Sequence, residues 1–175
     1  MEHVDRQASR KARSEGEKLP APEQPKGPVV VYTSETPWVN ESEHVLVMAC
    51  SDPRFHEPTE ELIRVHFRLR RFDQLILPGG PASILISAPS FFAIRPQVKL
   101  LHETHDFKRI LAIAHHDCAY YRIKYSKLDE AARRERQIAD LREFSKEVVK
   151  LAPGAIVEPL YAEPANGHIQ YLAIE

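Results

Sequence analysis

Two cysteines and a histidine stand where a metal ion could be bound. Cys50 directly follows one run of apolar residues, and His115 and Cys118, three positions apart, follow another. Thiolate sulfur and imidazole nitrogen are ligands that zinc (Zn2+) favours, and three protein ligands with one open position are typical of catalytic zinc. The chain has only 2 cysteines, so no third thiolate can close the site. These residues predict a zinc site of the catalytic kind.

Other interpretations of the same residues stay open. His116 with Cys118 could bind the ion, with His115 supporting it from behind, although the turn spacing favours His115. The two cysteines could instead be buried, inert thiols or a redox pair. The redox interpretation is the weaker one, because the sequence has no C-x-x-C pair.

A carboxylate and a guanidinium accompany the first cysteine at every second position. In an extended segment, the spacing of Cys50, Asp52 and Arg54 places all three side chains on one side. Asp52 could orient a water on zinc by accepting its hydrogen bond, and Arg54 would keep that carboxylate ionised. We therefore predict Asp52 and Arg54 as the catalytic pair. The alternatives are a salt bridge that caps the next helix, and an inactive site in which Asp52 becomes the fourth ligand.

The hydrophobic pattern predicts the elements that position these residues. Residues 45–49 and 110–114 are apolar throughout, which is typical of strands buried on both faces of a parallel sheet. A third short strand, 74–77, ends at Gly79 and Gly80. Parallel strands bind ligands beyond their carboxyl ends, so the predicted metal ligands and the two glycines should meet at one edge of the sheet. Helical spacing is found at residues 58–68, in the second half of 90–105, and at 129–151.

The remaining elements lie near the two ends of the chain. A β-rich run occupies residues 29–34, and two final strands are predicted at 155–161 and 169–174. A turn at Asn166–Gly167 joins the final pair as an antiparallel edge. The predicted fold class is α/β, with a mostly parallel central sheet flanked by helices.

The composition is that of an ordinary globular protein. Of the 175 residues, 43% are hydrophobic and 28% charged, and the net charge of -1 offers no field for nucleic acid or an anionic membrane. No apolar run is long enough to span a bilayer, and the N-terminus lacks the apolar core of a secretory signal, so we expect a cytoplasmic protein. Residues 1–28 predict a disordered or partner-packed arm, and 29–175 a single zinc-binding domain.

The two motifs resemble the paired signature of β-carbonic anhydrases. The resemblance rests on Cys50-x-Asp52-x-Arg54 followed by His115-x-x-Cys118, and the ending at residues 158–175 is similar to the family's last strand and turn. It implies a zinc lyase that reversibly hydrates CO2 to bicarbonate with a hydroxide held on the metal. It also implies a homodimer or larger homo-oligomer, in which an N-terminal segment packs on a neighbour.

The sequence departs from that family at three places. It has Leu-Pro-Gly79-Gly80-Pro where members commonly have Arg-Asn-Ala-Gly-Asn, and Ala114 and Ala119 where glycine is usual. The chain is also short. The two glycines are predicted to approach the substrate pocket closely, but the polar neighbours are gone. The substrate could therefore be carbonyl sulfide or carbon disulfide, and a non-catalytic zinc module is a further alternative. Aromatic residues could wall a dry pocket or simply pack in the core: Phe55, Phe91, Phe92, Tyr120 and Tyr121.

Overall fold

The structure is a computed structural model that describes residues 27–86 and 93–175. Most of the predicted N-terminal arm, together with Phe91 and Phe92, lies outside the described residues. The strands are β1 (Val45–Cys50), β2 (Asp73–Leu77), β3 (Arg109–His115), β4 (Ile156–Ala165) and β5 (His168–Ala173). The α-helices are α1 (His56–Glu61), α2 (Ile94–His105), α3 (Ala119–Lys124) and α4 (Glu130–Val148).

The five strands form one sheet in the order β2-β1-β3-β4-β5. β1, β2, β3 and β4 run parallel, and β5 is antiparallel to β4. The α/β class with a mostly parallel sheet and an antiparallel edge is thereby confirmed. Cys50 pairs with Leu77 and Ala49 with Ile113, so β1, β2 and β3 end near one another at the same edge.

The continuous apolar runs of β1 and β3 are explained by burial on both faces. One face contributes Leu46 and Ile110 to a cluster that includes residues of α2 and α4. The other face contributes Val47 and Leu111 to a second cluster that includes Ile63. A strand buried on both sides has no solvent-facing positions, and its sequence therefore shows no alternation.

Helix α4 and the final hairpin follow from local sequence signals. The Asp129 side chain caps α4 by accepting a hydrogen bond from the Ala132 amide at 2.8 Å, and the apolar face is buried as predicted. The helix ends at Val148, three residues before the predicted end. Asn166 and Gly167 both have positive φ, 52° and 80°, as a two-residue hairpin turn requires.

Two local predictions differ from the structure, and one helix has no predicted counterpart. Residues 29–34 form no strand; they lie in a separate unit, of which residues 27–38 are described, and their side chains are exposed. β-branched residues favour strands mainly through cross-strand packing, so the β-rich composition of residues 29–34 is not enough to form a strand. The helix predicted at 58–68 begins at His56 and widens into a π-helical turn at Leu62–His66. Helix α3 was not predicted.

The compact unit begins at Val39, and the proposed division at residue 28 stays a prediction. None of the helices in the part of the chain that the structure describes combines the length and the apolar character needed to cross a membrane.

Candidate metal centre

Three ligand atoms from two loops meet at the carboxyl edge of the sheet. Cys50 ends β1, His115 ends β3, and Cys118 is the residue before α3. Their sulfur and nitrogen atoms all lie within 4.8 Å of one another. His115 and Cys118 are buried, and Cys50 is partly exposed. The predicted ligands are thus brought together.

The spacing of the two sulfur atoms suits a shared metal ion. Cys50 Sγ and Cys118 Sγ are 3.8 Å apart, far beyond the ~2.05 Å of a disulfide bond. Two thiolates bound at about 2.3 Å to one tetrahedral ion would lie about 3.8 Å apart, because the bond angle is close to tetrahedral. The pair therefore has the separation of two ligands to zinc.

The ring of His115 is oriented with one nitrogen free to bind. Its Nδ1 lies 2.8 Å from the carbonyl oxygen of His116, to which it can donate. Its Nε2 is buried and has no hydrogen-bond partner among the described residues. A buried acceptor without a partner costs folding free energy unless a ligand satisfies it. Metal-binding histidines commonly donate a hydrogen bond from the N–H of their other ring nitrogen to a carbonyl oxygen. His115 is therefore available as a possible metal ligand.

His116 occupies a different environment. Its Nε2 lies 3.6 Å from Glu130 Oε1, its side chain is 31% exposed, and it is not part of the group of converging ligand atoms. The structure therefore favours His115 over His116 as the ligand.

The two thiols have opposite tendencies to ionise. The hydrogen bond with Cys118 lowers the pKa of Cys50, helped by His115 and the Gly79 amide. The same contact, together with burial, raises the pKa of Cys118. Two sulfur atoms this close cannot both ionise readily unless a cation lies between them. A divalent ion would supply that charge.

Gly79 and Gly80, which follow β2, pack closely against Cys50 at the end of β1. The Gly79 amide lies 3.4 Å from Cys50 Sγ as a donor. A Cβ on Gly80 would lie 2.9 Å from the Cys50 amide nitrogen and 3.1 Å from the Ala49 carbonyl carbon. The close approach of the Gly80 backbone is thus explained by its packing against β1, the strand that carries Cys50. The role of the two glycines in the substrate pocket stays a prediction.

Gly80→Ala is expected to destabilise the protein, since it adds a backbone clash to the strain of a φ of +55°. Gly154→Ala is the matched control, because Gly154 has a φ of +84° and a Cβ added there would meet nothing within 4 Å. We expect Gly80→Ala to lower the free energy of unfolding by about 1–2 kcal/mol more than the control, as overpacking does. Urea denaturation measures both variants, and equal losses would contradict this explanation.

Asp52 and Arg54 form a bidentate ion pair beside the ligand loop. Arg54 Nη2 donates to Asp52 Oδ2 at 2.7 Å and Arg54 Nε donates to Asp52 Oδ1 at 3.0 Å. These hydrogen bonds lower the pKa of the Asp52 carboxyl to about 2, from an ordinary value of 3.8. Asp52 also caps the short 3-10 turn Pro53–Phe55 by accepting from the Arg54 amide at 3.0 Å. The pair therefore has the capping role given above as an alternative, and its catalytic role stays a prediction.

The aromatic residues contribute mainly to packing. Phe55 lies against the His115 ring, with centroids 4.2 Å apart. Tyr121 is buried and donates to Asp140 at 2.9 Å. Tyr120 lies where a side chain on Gly79 would otherwise project. Among the described residues of the predicted pocket wall, Phe55 therefore packs against His115, and Tyr120 and Tyr121 belong to the cluster that contains Cys50 and Cys118.

Sequence reasoning missed Asp117 and Arg122. Asp117 contacts both Arg54 and Arg122, which joins the two ligand loops. The sequence signal that could have identified Asp117 is its acidic side chain between His115 and Cys118, opposite in charge to Arg54.

Comparison with known proteins gives matches to carbonic anhydrases. A family model described as "Putative carbonic anhydrase" matches residues 40–171. The β-carbonic anhydrase isoform I of Trichomonas vaginalis is similar in structure, with a TM-score of 0.52 and 13% identity over 80% of this chain and 88% of that chain. The carbonic anhydrase of Streptococcus mutans gives a TM-score of 0.51 and 14% identity over 75% of this chain and 81% of its own.

A curated relative is also similar over part of its length. An uncharacterized protein of Rickettsia conorii is 26% identical over 80 residues, which are 45% of this chain and 43% of that protein. The match thus spans less than half of that relative.

The fold is that of the β-carbonic anhydrases, and the cysteines and histidine at its strand ends form a possible metal-binding group. Because the family model covers most of the sequence, this chain belongs to the carbonic anhydrase family, as a divergent member of the β type.

Proposed function

We propose that the protein is a zinc-dependent lyase that reversibly hydrates CO2 to bicarbonate. The observation that carries the proposal is the convergence of Cys50, His115 and Cys118, with His115 Nε2 buried and uncommitted. Membership of the carbonic anhydrase family supports it. Assembly as a homodimer or larger homo-oligomer and a cytoplasmic location stay predictions from the sequence.

The chain's own residues divide the chemistry between binding and orientation. Zinc held by Cys50, His115 and Cys118 would make water a nucleophile at neutral pH. The carbonyl oxygen of His116 orients the His115 ring through Nδ1. Asp52 is only 12% exposed and is kept ionised by Arg54, so it can accept a hydrogen bond from the attacking water and direct its lone pair.

Zinc content and CO2 hydration on one sample test the proposal. The 175-residue chain is purified, its zinc is counted, and hydration is followed by stopped flow. We expect about one zinc ion per chain and hydration that is lost with a chelator and restored by Zn2+. Stoichiometric zinc without CO2 hydration would contradict the proposal. Carbonyl sulfide and carbon disulfide hydrolysis, assayed on the same sample, would then distinguish the alternative substrates from a non-catalytic zinc module.

The rate is expected to rise with pH through an apparent pKa above 7. Cys50 and Cys118 as thiolates cancel the formal charge of the ion, so the site acidifies water less than three neutral histidines would. Asp52 cannot cause the rise, because its pKa of about 2 leaves it ionised throughout the assay range. The kcat/KM for CO2 measured from pH 6 to 9 checks this, and a flat profile would contradict it.

A further inference from the structure

Arg54 contacts both loops that carry the predicted ligands. Besides its pair with Asp52, it donates from Nη2 to the Asp117 carbonyl oxygen at 3.1 Å and from Nη1 to Asp117 Oδ2 at 3.3 Å. Asp52 belongs to the loop after β1, and Asp117 lies between His115 and Cys118 in the loop after β3. One guanidinium therefore ties the two loops together.

The backbone of Asp117 makes this double contact possible. Its φ is +50°, in the left-handed region, where Asp and Asn are tolerated better than other residues with side chains. In this conformation both its carbonyl oxygen and its carboxylate reach Arg54. On its other side, the carboxylate accepts from Arg122 Nη1 at 3.1 and 3.2 Å. The side chains thus form a line of alternating charge in the order Asp52, Arg54, Asp117 and Arg122.

The contact with Asp117 restricts the Arg54 side chain, which is exposed and would otherwise be held by Asp52 alone. The exposed fraction is 55%, and an isolated ion pair at such a position contributes little to holding a side chain in place, because water screens the attraction. A guanidinium held on two sides has fewer alternative rotamers than one held by a single carboxylate. The Asp117 carboxylate lies between two guanidinium groups, 3.3 Å from Arg54 Nη1 and 3.1 Å from Arg122 Nη1. Asp117 is therefore a charged anchor.

We propose that Asp117 is a positioning residue that fixes Arg54 and, through Arg54, holds Asp52 in its orientation beside the metal centre. This inference rests on the proposed function of the site. Without the Asp117 carboxylate, Arg54 keeps only the backbone carbonyl contact on that side and separates from Asp52 more readily, so that Asp52 can turn toward the fourth position of the metal. Arg122 acts from α3 as the outer partner that keeps Asp117 in place.

The test compares Asp117→Ala with Asp117→Asn and with a matched control. Asparagine retains a side-chain oxygen and the tolerance for positive φ but loses the charge. The control is Asp106→Ala, since Asp106 also has a φ of +50° and is paired with a basic residue, Lys108, outside the ligand loops. We expect Asp117→Ala to keep its zinc and lose about tenfold in kcat/KM, as changes to partners of metal-site residues do. Asp117→Asn should lose less, and the control should stay within twofold of the parent.

A double variant separates positioning from a general structural effect. If Asp117 acts through Asp52, then adding Asp117→Ala to Asp52→Asn should cause little further loss, because the two changes share one mechanism. A full additional tenfold loss in the double variant, or an Asp117→Ala variant as active as the parent, would overturn the inference.

The visible spectrum of the Co2+-loaded protein gives a readout independent of turnover. We expect Asp117→Ala to change the d–d bands of the parent, because Asp52 gains access to the metal, and the change to vanish in the Asp52→Asn background. The Co2+ spectrum still tests the positioning role of Asp117 if the parent binds metal but fails to hydrate CO2. In that case only the proposed function is wrong. An unchanged spectrum in Asp117→Ala would overturn the inference.

Discussion

Replacing Asp52 with asparagine is expected to leave zinc binding intact and to remove most of the hydration activity. Asparagine has nearly the same size, but it loses the charge that pairs with Arg54 through two hydrogen bonds. Its amide can also present a donor where the carboxylate only accepted, so the orientation of the attacking water is lost. We expect kcat/KM for CO2 to fall about 100-fold, near the upper limit for residues that support a metal site. Stopped-flow hydration and zinc counting on the same preparation measure both effects.

Asp106→Asn is the matched control for this substitution. Asp106 pairs with Lys108 at the same two-residue spacing that separates Asp52 from Arg54, and it is exposed. Its replacement should leave activity within twofold of the parent. If Asp52→Asn retained both zinc and full activity, Asp52 would have no catalytic role, and the pair would serve only as a salt bridge and cap.

Replacing Cys118 with serine is expected to abolish stable zinc binding. The variant keeps Cys50 and His115 but loses a thiolate, and neutral serine oxygen is a poor ligand for zinc. We expect the zinc dissociation constant to rise more than about 100-fold, beyond the effect of altering a partner of a ligand. Competition with a chromophoric chelator measures the constant. Because metal binding is coupled to folding, the thermal midpoint of the parent should rise with added zinc, whereas that of the variant should not.

A pair of histidine variants completes this experiment. His115→Gln should lose zinc as Cys118→Ser does, whereas His116→Gln should retain it, because His116 lies beside Glu130 rather than among the ligand atoms. The opposite result would assign the ligand to His116. Retention of zinc by Cys118→Ser would contradict the whole site, and a reversible disulfide in a zinc-free parent would favour the redox alternative.

The elements that carry the ligands were readable from the sequence because their burial leaves a simple pattern. The predicted strands 45–49 and 110–114 are apolar at every position, as expected for strands covered on both faces of a parallel sheet. Placing Cys50 and His115 at the ends of such strands was enough to predict that they meet, since parallel strands end at one edge. The hairpin turn at Asn166–Gly167 was equally local, because its type depends on two residues.

Contacts between residues far apart in the sequence could not be predicted from local sequence patterns. The anchor between Arg54 and Asp117 joins positions 63 residues apart, and it depends on a left-handed backbone conformation that the sequence does not specify. The run at 29–34 has a β-rich composition but forms no strand, because strand formation needs a partner that composition cannot identify. The tight fit of Gly80 against Cys50 likewise becomes visible only when the strands are packed.

X-ray absorption at the zinc K-edge of the purified chain tests the central claim most directly. We predict stoichiometric zinc with two sulfur neighbours at about 2.3 Å and one imidazole nitrogen at about 2.0–2.1 Å, plus one further light atom from solvent. Zinc without sulfur in its coordination shell, or a properly folded chain that binds no zinc, would contradict it.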